Sequence, residues 1–235
     1  MEYIGITKNE IKELTETLLN SFFKHIDTKE IICVDIDGLA SFFDLTVRYE
    51  NIAEIDKNKI AFFSDGNKPL CIYKNGTAQM ICFPPKTIVI DNYLRQISMS
   101  DKRRYAVAHE VGHYILKLYG YEPSVMQSNS EYEIVGDCSL SEIKRLMNYN
   151  EKTANEIGAF LLMPEFLVQD YVHELFESDK IPIYGEYMLK LETKRKIKLI
   201  SDKLGVSYDE LMIQLKRNNM FLHLPAETFF MEGIV

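Results

Sequence analysis

The feature that most restricts the fold is a change of hydrophobic period near residue 100. Before it, short apolar runs at Leu45–Tyr49, Lys59–Phe63, Pro69–Tyr73, Thr77–Phe83 and Thr87–Ile90 are cut by Asp65-Gly66-Asn67, Asn75-Gly76 and Pro84-Pro85. Runs of this length between turn formers predict strands, and Asn-Gly between two of them predicts a hairpin. After it, apolar residues recur at helical spacing over Asp101–Tyr119, Ser139–Met147, Glu151–Met163, Pro164–Glu177, about Tyr184–Leu204 and Ser207–Asn218. Strands grouped first and helices grouped afterwards predict an α+β fold with a small, mostly antiparallel sheet and a helical C-terminal part. Upstream, Lys8–His25 has the stripe of an amphipathic helix, and Gly38–Phe43 that of a short one. Ser100 is placed to cap a helix, Pro164 suits a first helical position, and Ser207 with Glu210 forms a capping-box pattern. Glu122 to Gly136 is polar and without period, which predicts a mobile connection.

With 235 residues, 46% of them hydrophobic, the chain can bury a large core without disulfides or structural metal. Its four cysteines, Cys33, Cys71, Cys82 and Cys138, form no CxxC pair and so suggest neither a thiolate metal site nor a disulfide framework. A net charge of -8 argues against nucleic acid as a partner for the whole molecule. The opening residues lack a basic stretch followed by an apolar one, and no apolar run approaches roughly 18 residues. The expectation is a cytoplasmic protein with no membrane partner.

Chemistry concentrates at Ala108-His109-Glu110-Val111-Gly112-His113-Tyr114, an HExxH pattern inside a helical segment. Histidines four apart share one helical face, so both imidazoles can reach one cation. Glu110, one residue round the helix, is placed to take a proton from a water at that cation and return it to a leaving amine. Gly112 costs about 1 kcal/mol relative to alanine in a helix interior, which suggests that another backbone or a ligand comes close there. A zinc site of this type needs a third protein ligand. Tyr119 and Leu116 stand where an extended metzincin pattern has histidine and glycine, so the ligand lies elsewhere. Glu122, Glu131, Glu133, Asp137, Glu142, Glu151 and Glu156 are the acidic candidates; spacing alone does not choose among them, and helical context favours Glu151. In the helix that Glu151 opens, Ala154, Gly158 and Ala159 permit close packing. Asn155, four residues on, shares the Glu151 face and is placed to accept a hydrogen bond from the far nitrogen of a ligand histidine.

HEVGH at 109–113 followed by ExxANxxxAxLLMP at 151–164 resembles the ImmA/IrrE family of metallopeptidases, and the likeness extends more weakly over most of residues 35 to 220. The resemblance implies a zincin-like, gluzincin-type Zn2+ site with His109, His113 and Glu151 as ligands and Glu110 as base. It also implies cleavage of a DNA-binding repressor protein in mobile-element or stress-response regulation. The interval from His113 to Glu151 is longer than the family spacing, suggesting an inserted lid or substrate-binding loop at 120 to 147. Ile157-Gly158 stands where Phe-Ala is usual, a packing variation.

The organisation expected is a metallopeptidase domain over 1–180 and a helical appendage over 181–235. Within the appendage, Lys198–Asn219 resembles a helix-turn-helix, but Glu192, Asp202, Asp209 and Glu210 dilute its lysines and arginines. Packing or substrate grip is therefore the expectation over DNA reading. The apolar tail Phe221–Val235 is expected to pack or mediate contact. His25, His173 and His223 have no ligand spacing. Tyr105, Tyr114, Tyr119, Tyr171 and His173 are all candidates to polarise a scissile carbonyl. The alternative function is a non-catalytic regulator that binds a repressor or DNA through the same fold.

Overall fold

A computed structural model describes residues 5–26, 30–54, 59–121 and 140–231. Glu122, Glu131, Glu133, Asp137, Cys138 and the expected connection over 122–136 lie outside them. The fold is mixed α+β. The chain forms two compact units, Met1–His25 with Asp35–Leu161, and Ile26–Val34 with Leu162–Val235.

In the first unit, α1 (Lys8–Phe22) buries Ile11, Thr15, Leu18 and Leu19 along one stripe. It starts with a capping box: the Glu10 N–H donates to Thr7 Oγ1 at 3.3 Å and the Thr7 N–H to Glu10 Oε2 at 2.7 Å. Helix α2 (Ile36–Phe42) is capped by Asp35, which accepts from the Gly38 N–H.

Five strands follow: β1 (Thr46–Glu50), β2 (Ala61–Ser64), β3 (Pro69–Lys74), β4 (Thr77–Cys82) and β5 (Thr87–Asp91). They build two sheets where one was expected. In the first, order β1-β5-β2, β1 runs parallel to β5 and β2 antiparallel. Strand β5 takes the centre because Thr87, Ile88, Val89 and Ile90 are all buried, the pattern of a strand covered on both faces. The long excursion between β1 and β5 permits their parallel pairing, which no tight hairpin could. The second sheet is the β3–β4 hairpin. Asn75 (φ 54°) and Gly76 (φ 79°) both take the left-handed conformation of a type I′ turn. Leu70, Ile72 and Phe83 pack with Val89 of β5, so the hairpin closes its core on the other sheet.

Two single 3₁₀ turns, Asn92–Arg95 and Ile97–Met99, lead into α3 (Ser100–Leu118). Ser100 already has helical dihedrals and no side chain caps the helix at Met99, so the expected Ser100 cap is absent: the preceding 3₁₀ turn runs straight into the helix. Helix α4 (Leu140–Leu162) is continuous where two shorter helices were expected. The polar Asn148-Tyr149-Asn150 stretch does not break it. Asn150 is buried, and the Tyr149 hydroxyl donates to the Ile6 carbonyl at 2.9 Å, so tertiary anchoring overrides weak local propensity.

The second unit contains α5 (Glu165–Phe176), β6 (Ile181–Tyr184), α6 (Leu191–Leu204), α7 (Tyr208–Arg217), β7 (Phe221–Leu224) and α8 (Ala226–Met231). Pro164 is the N-cap of α5 rather than its first helical residue. Strands β6 and β7 pair in parallel, with α6 and α7 as the crossover. The expected boundary near residue 180 falls inside this unit, whose longer segment begins at Leu162 and so includes α5. Strand β6 ends at Tyr184 and Gly185 (φ 58°) turns the chain, which shortens the helix expected from about Tyr184. Gly205 (φ 65°) and the Ser207–Glu210 capping box join α6 to α7. The start of the apolar tail forms β7 and α8, and the Phe229 ring packs edge-on against Tyr184. Among the described residues no helix is long and apolar enough to cross a membrane.

Candidate metal centre

Helix α3 carries Tyr105, His109, His113 and Lys117 at four-residue intervals, one stripe along its cavity face. Helix α4 carries Glu151 and Asn155 in the same relation. What brings the two helices together is the absence of two side chains. A Cβ on Gly112 would lie 2.6 Å from the Ala154 carbonyl oxygen, and one on Gly158 would lie 3.1 Å from the backbone of Ala108 and His109. Gly158 therefore backs onto the peptide that presents the first histidine. The close approach suggested by Gly112 and the small residues of α4 is a backbone-to-backbone contact.

Three side chains meet across this contact. His109 Nε2 and His113 Nε2 are 3.1 Å apart; Glu151 Oε2 lies 3.3 Å from the first and Glu151 Oε1 3.4 Å from the second. Ligand bonds of about 2.0–2.1 Å put adjacent donors on a four-coordinate divalent ion about 3.3 Å apart; the two imidazole nitrogens are near that spacing, and each has a different Glu151 oxygen at a similar distance. His109, His113 and Glu151 could therefore hold a metal ion. The imidazole rings stand nearly perpendicular, at 88°. Both histidines are mostly buried, whereas the Glu151 side chain is 56% exposed, which leaves the open side of the cluster toward solvent. Hydrogen bonds with His109 and His113 hold the Glu151 carboxyl far below the usual carboxylate range, against the opposing effect of burial.

Glu110 is 6% exposed, and it lines the same cavity of about 670 Å³ as the three ligand candidates. Opposite the α3 stripe the wall is formed by residues 59–63, which include the start of β2. The residue pattern places a buried carboxylate beside the cluster without making it part of it.

Asn155 does not take the place expected of it. Its Oδ1 accepts from the Tyr105 hydroxyl at 3.0 Å, while the buried His109 Nδ1 has no hydrogen-bond partner among the described residues. The tyrosine at position 105, one turn before His109, reaches across to α4 and outcompetes the histidine for that acceptor. Of the five carbonyl-polarising candidates, Tyr105 alone lines the cavity. Tyr114 is packed between the rings of Phe43 and Phe63, and Tyr119 lies outside the lining. In the second unit, the Tyr171 hydroxyl donates to the Ile32 carbonyl, and His173 pairs with Asp179. His223 approaches the Gly185 carbonyl and His25 is exposed. Cys33, Cys71 and Cys82 are free thiols outside the cluster.

No family model and no curated protein matches the chain. The case for the site therefore rests on its own geometry.

That geometry includes residues that sequence reasoning missed. Lys117 extends the four-residue series one turn beyond His113, a signal that was readable. Its ammonium lies 3.9 Å from Asp65, which also lines the cavity. The Asp65 carboxylate accepts from the backbone N–H groups of Asn67 at 2.9 Å and Lys68 at 3.4 Å. Burial acts to raise this carboxyl, but those N–H groups and the Lys117 charge together hold it below its ordinary value. Lys59 and Lys68 line the cavity as well. These residues come from a loop and a strand start, which no helical periodicity connects to the HExxH segment.

Proposed function

We propose that this chain is a zinc-dependent endopeptidase with a zincin-like core, similar to the ImmA/IrrE peptidases, and that it cleaves a DNA-binding transcriptional repressor. The observation that carries the reading is the convergence of His109 Nε2, His113 Nε2 and the Glu151 carboxylate, with the buried Glu110 lining the same cavity. Two imidazoles and a carboxylate are the donor set of a catalytic rather than a structural zinc site, since they leave a position for water. The repressor as substrate rests on the resemblance of the paired HEVGH and ExxAN segments.

Bound zinc would supply Lewis acidity, polarising the scissile carbonyl and acidifying a nearby water. Glu110 accepts a proton from that water as its oxygen adds to the carbonyl carbon. The same carboxyl then gives the proton to the amine as the C–N bond breaks. Tyr105 is the cavity-lining hydroxyl best placed to donate toward the substrate, once it exchanges its bond to Asn155. The residue 59–63 wall confines the substrate against α3.

Glu110→Gln tests the mechanism. Cleavage of the repressor substrate should cease while the metal content, read by atomic absorption, stays near one per chain. Cleavage that persists would remove Glu110 from its role. A second reading, a non-catalytic regulator that binds repressor or DNA, draws on the tight α6–α7 connection. It prevails if the Glu110→Gln protein still relieves repression in cells. The acidic first turn of α7, Asp209 and Glu210, disfavours phosphate contact at that helix start.

A further inference from the structure

The cavity is not symmetric about the metal centre. Along α3, the stripe from Tyr105 to Lys117 covers about 18 Å, with the histidines in the middle. At one end Tyr105 and Asn155 form a neutral hydrogen-bonded pair; at the other stand Lys117 and Asp65. Lys68, three residues from Asp65 on the same loop, lines the cavity together with Lys117, and among the described residues Asp65 is the only lining carboxylate apart from Glu110 and Glu151.

We propose that Lys117 is a specificity-determining residue that selects substrates with an acidic side chain within a residue or two of the scissile bond. The inference rests on the peptidase reading above. The pairing of Lys117 with Asp65 is long, at 3.9 Å, and the Lys117 side chain is 40% exposed, so its ammonium faces the open cavity. Asp65 differs: its side chain is 14% exposed, and two backbone N–H groups satisfy it independently of Lys117. The ammonium can therefore turn to a substrate carboxylate without stranding a buried charge. Asp65 is thus a weak competitor for the ammonium, which a substrate carboxylate can displace. Lys59 meets Glu54 at 3.5 Å outside the cavity lining, so it gives the wall positive charge without competing for the same site.

The test is equilibrium binding of peptide hydroxamates to the zinc-loaded protein, which needs no turnover. The compounds differ in one side chain, Asp, Asn or Lys, placed one or two residues from the hydroxamate, with acetohydroxamate as the metal-only probe. Wild type should bind the Asp compound about three- to fivefold more tightly than the Asn one, the scale of a part-exposed ion pair. That preference should fall to unity in Lys117→Met, invert in Lys117→Glu and increase in Asp65→Asn, while acetohydroxamate binds all four proteins alike. Equal binding of the Asp and Asn compounds to wild type, or an unchanged preference in Lys117→Met, overturns the role of Lys117 and leaves the metal centre intact. Acetohydroxamate that fails to bind wild type removes the metal centre, and this inference with it.

Discussion

At the scale of single residues, a metal ion at this cluster would require His109 and His113 neutral and Glu151 ionised. His113→Ala should reduce bound metal from near one per chain to well below it, a loss read by atomic absorption after dialysis. Metal affinity of the wild type should fall on acidification, because a protonated imidazole has no lone pair for the ion. Glu151 behaves differently. Its folded-state pKa is depressed, so its contribution to stability is present above its unfolded value and lost only as pH falls through the lower, folded one. In chelated protein that loss begins near the ordinary value of 4.5 and continues downward. Glu151→Gln should flatten this part of the acid profile, checked by thermal melts between about pH 3 and 6. Because the carboxylate is half exposed, solvent screening keeps the effect small.

At the scale of elements, two effects of opposite sign meet at Gly112. Removing a mid-helix glycine would stabilise an isolated helix by about 1 kcal/mol. Here the added Cβ would sit 2.6 Å from a carbonyl oxygen of α4, and that atom is rigid backbone. Overpacking of this kind costs about 1–3 kcal/mol, so the clash wins. Gly112→Ala should lower stability in chemical denaturation and weaken metal binding, because pushing α4 away moves Glu151 from the histidines. Metal affinity equal to wild type in that variant would contradict the role given to helix contact. The capping box of α1 is a separate case: Thr7→Ala should cost about 1 kcal/mol and leave metal affinity unchanged. Most helices were legible here because their apolar stripes and caps are local. The α4 continuity was not, since it hangs on the Tyr149 hydroxyl reaching a carbonyl 143 residues away.

For the whole molecule, all three ligand candidates belong to the first unit. An ion bound there stabilises the folded state by about 4 kcal/mol when present at a thousandfold excess over its dissociation constant. Hydrogen exchange should therefore slow on metal addition in α3 and α4, with little change in β6 and β7. Equal protection of both units would show that the ion's effect is not confined to the first. The interval of 37 residues between His113 and Glu151 is another whole-chain matter. Spacing left seven carboxylates open as third ligand; among the described residues, the packing of α4 against α3 brings Glu151 to both histidines.

Periodicity, turn chemistry and the HExxH spacing made much of the molecule readable from the chain itself: the α+β class, the five early strands, the Asn75-Gly76 turn and the pairing of His109 with His113 on one face. Each depends on neighbours within a few residues. Which strands pair, and in which direction, required knowing that β5 is buried on both faces. Asn155 bonding to Tyr105 rather than to a histidine, and Lys117 meeting Asp65 across the cavity, depend on contacts between distant segments. Such contacts are set by how backbones approach in three dimensions, and at this site two glycines set that approach.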